Sequence, residues 1–211
     1  MLSMLILSLL LMPTMNAVEE KGNDHVIQSH EFLLPILNSE PRTENITHIV
    51  IHSISNIVAK PESPYNITDI YLLLLEYGLS THYVIDREGT IFQFVSDDRV
   101  AYHAGRSSLP QAPFIDHSMN DFSIGIEIMG IGTKEEMTTF IPEKIFDSIN
   151  PQHIGFTEKQ YKSLQILIAD LINRYPSIRH DRFHIIGHED YAAGRKVDPG
   201  KLFNWKKINL E

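Results

Sequence analysis

The chain of 211 residues contains no cysteine. Disulfides, thiolate metal sites, a cysteine nucleophile and a lipidated N-terminal cysteine are thereby excluded, and a metal would have to be held by His, Asp or Glu. Positive charge is also scarce: 18 Lys and Arg stand against 27 Asp and Glu, a net charge of −9. Residues 1–173 carry 10 basic and 22 acidic side chains, and residues 174–211 carry 8 and 5. An acidic body lacks the cations that a phosphate backbone demands, so no nucleic-acid partner is expected. Long apolar runs are missing as well. Residues 2–12 (LSMLILSLLLM) are uncharged but number eleven, where a bilayer span takes about 20, so no stable membrane span is expected. Although no Lys or Arg precedes it, the run suits the apolar part of a signal peptide, with Ala17 as the cleavage point. Residues 1–17 are therefore read as a signal peptide and the protein as exported, periplasmic or secreted.

What is present fits one globular domain, with 43% apolar and 21% charged residues. Residues 18–45, with scattered charges and Pro35 and Pro41, read as a lead-in, and 46–211 as the domain. Ile46–His52 (ITHIVIH) is short, β-branched and apolar, the pattern of a buried strand. Thr68 opens a helix that Gly78 ends, and His82–Val95 reads as a hairpin turning at Arg87-Glu88-Gly89. Phe122–Met129 (FSIGIEIM) is another strand, with Ile124, Ile126 and Ile128 on one face and Ser123, Gly125 and Glu127 on the other. Thr157 and Gln160 form a capping box before a helix whose apolar positions run from Tyr161 to Tyr175, and Pro176 stops it. Phe183–Gly187 is a last core strand. Interleaved strands and helices predict an α/β fold, a central mixed sheet flanked by helices.

Eleven histidines raise the question of which are functional. His52 and His188 each end an apolar strand, where a rigid sheet aims a side chain into a cleft. Asp198 follows ten residues after His188 in a loop rich in Gly and Pro. Two imidazoles and a carboxylate are a common catalytic zinc set, with the fourth position left to water, although many chains hold such a trio without using it. Glu127 sits between apolar neighbours on a core-like strand, a costly place for a carboxylate unless it is paired or functional. Lys196, two residues before Asp198, is placed to hold a developing oxyanion. Asp190 is a candidate acceptor for orienting a metal ligand.

The segments THIVIHS, STHYVIDREGTIFQFV, AYHAG, NDFSIGIEIMG and IIGHEDYAAGRKVDPGKLFNW occur in an order and spacing that resemble the zinc-dependent N-acetylmuramoyl-L-alanine amidases of the type-2 amidase family. The resemblance runs from Ile46 to Trp205. It implies the fold of peptidoglycan-recognition proteins and phage lysozyme-type amidases, and one zinc ion per chain. It also implies His52, His188 and Asp198 as the ligands, Glu127 as the catalytic carboxylate and Lys196 as a second catalytic group. His103, in AYHAG, borders the family's substrate groove and is expected to bind substrate. The implied substrate is peptidoglycan or a muropeptide. Thr81 stands where many relatives carry a catalytic Tyr, which puts this chain with those that use the strand Glu. The stretch 131–156 is long for a connector. The alternative function is a non-catalytic peptidoglycan-binding module of the same fold.

Overall fold

The computed structural model describes residues 28–211, so the expected signal peptide at 1–17 lies outside the described residues. The strands are β1 (His30–Glu31), β2 (Ser39–Pro41), β3 (His48–Ile54), β4 (Tyr83–Ile85), β5 (Ile91–Gln93), β6 (Arg99–Ala101), β7 (Ser123–Met129) and β8 (Ile185–Gly187). The helices are α1 (Ile67–Glu76), α2 (Met119–Phe122), α3 (Lys134–Met137), α4 (Glu143–Asp147), α5 (Glu158–Arg174) and α6 (His188–Tyr191). Six strands form one mixed sheet in the order β1-β5-β4-β7-β3-β8. The long β3 and β7 lie parallel at its centre, with His52 beside Glu127. β8 runs parallel to β3 and β4 parallel to β7, while β4 and β5 form the expected antiparallel hairpin.

Central parallel strands are buried on both faces, which is why their sequences are so apolar. On one face Ile49, Ile51, Ile124, Ile126 and Ile128 join Leu164, Leu167, Ile168 and Leu171 of α5 in one cluster. The capping box at Thr157 and Gln160 starts that helix, and Gln160 Nε2 also donates to the Met129 carbonyl at the end of β7 (2.8 Å). On the other face, Val84 and Phe94 pack with Ile70 and Leu74 of α1. Beside them Val50 and Ile186 pack with Ala104, Met119 and Tyr191. Glu127 and His52 belong to this second face, together with Ser123 and Gly125.

Three local expectations shift. The first strand begins at His48 rather than Ile46. The last begins at Ile185 rather than Phe183, because Asp181 Oδ1 accepts from the amides of Phe183 and His184 (both 3.0 Å). That local turn competes with extension of the strand and leaves Phe183 exposed. From His30 onward the lead-in is also tied into the sheet. Phe32 and Leu34 donate to the carbonyls of Gln93 and Phe94, β1 pairs with β5, and β2 pairs with β6. Arg42 fastens it further, donating to the carbonyls of Asp97 (2.9 Å), Arg99 (2.9 Å) and Ser123 (3.0 Å). Strands of two and three residues carry no readable periodicity, so the sequence shows no sign of them.

Candidate active site

β3 ends against the N-terminus of α6, so the sheet delivers His52 and His188 to one place, both almost fully buried. The loop after α6 returns Asp198 to them, held by the Glu189 amide donating to the Asp198 carbonyl (2.9 Å). Asp198 Oδ2 lies 3.0 Å from His52 Nδ1 and 3.1 Å from His188 Nδ1, and the two Nδ1 atoms are 3.0 Å apart. His188 Nε2 lies 3.0 Å from the carbonyl of Ala104. A carbonyl can only accept, so the ring proton is on Nε2 and Nδ1 presents a lone pair. That lone pair faces a carboxylate oxygen and a second imidazole nitrogen. Such a set of acceptors is repulsive unless a cation sits among them, and its composition suits a metal of the zinc type. Among the described residues, His52, His188 and Asp198 form a group that could hold a metal ion.

The charges agree with this arrangement. Burial opposes ionisation of Asp198, but the adjoining His188 and His52 imidazoles outweigh it and hold the carboxyl well below its ordinary range. Burial, then the neighbouring His188, pushes His52 down to about 4. Glu127 goes the other way. Burial and then the Asp198 charge raise it well above the usual carboxylate range, while Lys196 pulls it partly back. Glu127 Oε2 is shielded from solvent and has no hydrogen-bond partner among the described residues. Lys196 itself is exposed, in the same loop as Asp198, and its charge also reaches His52.

Two expected roles look different in the structure. Asp190 Oδ2 accepts from the Gly187 amide (2.7 Å) and from Arg182 (2.7 Å), so it fastens the turn from β8 into α6 rather than hydrogen-bonding a ligand imidazole. His103 turns its ring inward: Nδ1 lies 2.9 Å from His52 Nε2, and Nε2 lies 3.2 Å from Ser123 Oγ. With both ring nitrogens engaged, neither is free for a substrate. Burial and then the His52 charge push His103 well below its ordinary value. Sequence reasoning missed Asn120, whose Oδ1 accepts from the amides of His103 (3.2 Å) and Ala104 (2.8 Å). It also missed Glu136; the pairing of small Ser123 and Gly125 on one strand face was the only visible hint of the inner arrangement.

Glu136 gives the long 131–156 stretch a structural task. α3 and α4 fold over a small apolar cluster of Ile57, Ile131, Ile141, Phe146 and Ile149. Buried Glu136 accepts from the Thr133 amide (2.7 Å) through Oε2 and from the Lys201 amide (2.9 Å) through Oε1. The segment thus grips the loop that carries Asp198. Glu136→Ala leaves these donors without their charged acceptor, a loss of about 1.5–3 kcal/mol. The expected result is a lower unfolding midpoint with faster hydrogen exchange at the Lys201 amide. Unchanged exchange there would mean that the segment does not hold the loop.

The N-acetylmuramoyl-L-alanine amidase family (Amidase_2) matches residues 42–201. The chain belongs to that family. The 1,6-anhydro-N-acetylmuramyl-L-alanine amidase AmpD of Haemophilus influenzae is 30% identical over 82% of this chain and 86% of its own length. AmpD of Escherichia coli is 28% identical over 83% and 87%. Among solved structures, a selenomethionine AmpD derivative superposes with a TM-score of 0.64 at 28% identity, covering 87% of this chain and 93% of that one. Escherichia coli AmiD, in complex with anhydro-N-acetylmuramic acid-L-Ala-D-γ-Glu-L-Lys, gives 0.56 at 28% identity, covering 77% and 56%. The amidase is thus a hydrolase of peptidoglycan turnover, and its mixed α/β fold is the one its relatives share. These relatives also correct the expectation of export to the periplasm or medium. The matches along most of this amidase are to AmpD enzymes, which are cytoplasmic. No helix among the described residues is long and apolar enough to cross a membrane.

Proposed function

We propose that this amidase cleaves the amide between the lactyl group of N-acetylmuramic acid and L-alanine, with one zinc ion held by His52, His188 and Asp198. The observation that carries this reading is the convergence of His52 Nδ1, His188 Nδ1 and Asp198 Oδ2 beside the buried oxygen of Glu127, which has no partner among the described residues. Zinc in such a site supplies Lewis acidity, which eases loss of a proton from water and polarises a carbonyl. Glu127 is the general base. Its carboxylate takes the proton from the attacking water and hands it to the nitrogen of the leaving L-alanine as the C–N bond breaks. The raised affinity of Glu127 for a proton suits it to hold that proton between the two events. Lys196 turns its ammonium to the carbonyl oxygen as negative charge develops there. The unit that performs this runs from the lead-in strand at His30 to the C-terminal residues.

The names of the AmpD relatives and the peptide in the AmiD complex support a 1,6-anhydro muropeptide as substrate. A purely binding role would give Glu127 no task that offsets its burial. The test is a digest of 1,6-anhydro-N-acetylmuramyl tripeptide read by mass. Free tripeptide and free anhydro sugar are expected, and products cut within the peptide would overturn the proposal. Lys196→Ala should lower kcat and kcat/KM together by roughly 10²–10³, the range of an oxyanion donor. A raised KM with unchanged kcat would make Lys196 a substrate-binding cation instead.

A further inference from the structure

The inner wall of the site contains a run of hydrogen bonds whose direction is fixed at one end. Ser123 Oγ lies 2.6 Å from the Met119 carbonyl, which can only accept, so the serine proton points there. Ser123 Oγ then serves as acceptor at its other contact, the one 3.2 Å from His103 Nε2, so that nitrogen carries the ring proton. In the neutral ring Nδ1 is consequently bare, and it accepts from His52 Nε2–H at 2.9 Å. His52 Nδ1 is left with a lone pair directed at His188 and Asp198.

We infer that His103 is a positioning residue that locks His52 in the tautomer able to bind metal, and that it does not bind substrate. The inference rests on His52 being a ligand, as proposed above. The fold guards this arrangement. A Cβ placed on Gly125 would stand 2.6 Å from the His103 ring, so only glycine lets the ring lie flat on β7. Asn120 Oδ1 holds the amides of His103 and Ala104 together. The same dipeptide thus serves both imidazoles: the His103 ring sets His52, and the Ala104 carbonyl sets His188. Partners of this kind typically contribute 10–100-fold to metal affinity.

The test uses His103→Ala and His103→Asn in the full chain, since an Asn Oδ1 offers an acceptor-only atom in place of Nδ1. Zinc affinity is measured by competition with a chromophoric chelator, and the His52 tautomer by two-bond 15N–1H correlations in the metal-free protein. Wild type should show His52 protonated at Nε2. His103→Ala should mix the tautomers and weaken zinc by 10–100-fold, and His103→Asn should recover most of both, with KM at saturating zinc unchanged. If His103→Ala does not fold, His103→Asn and Ser123→Ala carry the test, the latter with a smaller shift in the same direction. A raised KM with wild-type zinc affinity and tautomer would overturn the inference and return His103 to substrate binding. A wild-type chain that takes up no zinc but holds His52 at Nε2–H would overturn the proposed ligand set while leaving the tautomer lock standing.

Discussion

Glu127→Gln should abolish most turnover while making the metal-free protein more resistant to unfolding at neutral pH. The loss expected is roughly 10²–10⁴ in kcat, the worth of a general acid–base group, with zinc content unchanged. The gain in stability follows from the raised proton affinity of Glu127, caused by burial and then by Asp198. The folded chain holds this proton more tightly than the unfolded chain does. Stability from this group is therefore complete at acid pH and falls as pH rises from the ordinary Glu range toward the raised value. Gln has no charge to bury and escapes that fall. Asp198 acts with the opposite sign, its depressed carboxyl contributing stability that is lost as pH falls, so the quantity to read is the difference between the wild-type and Glu127→Gln curves. Thermal unfolding of both proteins from pH 4 to 8 gives it. A difference that does not grow with pH, or near-normal turnover in the variant, would make Glu127 an ordinary strand residue.

His188→Ala should remove both metal and activity. The substitution takes away one of the three proposed ligand atoms and leaves the Ala104 carbonyl without its imidazole donor. Two protein ligands are too few for a stable catalytic zinc site, which ordinarily uses three. Metal analysis of the dialysed variant should fall from about one zinc per chain to near none, with kcat lost accordingly. Full zinc retention would show that His188 is not a ligand. Because His188 also begins α6 and sits almost fully buried, circular dichroism of the variant should accompany the metal count.

Much of this was legible in the sequence where one residue type repeats at a fixed spacing. β7 and α5 appear within a residue of their expected bounds, because alternating isoleucines and a capped amphipathic helix report their own periods. The proposed ligand trio was visible as two strand-end histidines and a loop aspartate, and the fold brings these three side chains together. What escaped were contacts between residues far apart along the chain with no pattern of their own. Glu136 meets Lys201 across 65 positions, and His103 meets His52 across 51. Asp190 misled for the opposite reason: it satisfies the nearby Gly187 amide, a local use that its place two residues after His188 conceals. The apolar run before Ala17 suggested a destination that the AmpD relatives overturn.

The central claim, that three protein side chains hold one zinc on which hydrolysis depends, is tested most directly by titrating zinc into the chelator-stripped amidase while following release of peptide from an anhydro-muropeptide. Activity should start near zero, rise linearly and break at one equivalent per chain. Full activity in the stripped protein, or a break at two equivalents, would contradict it.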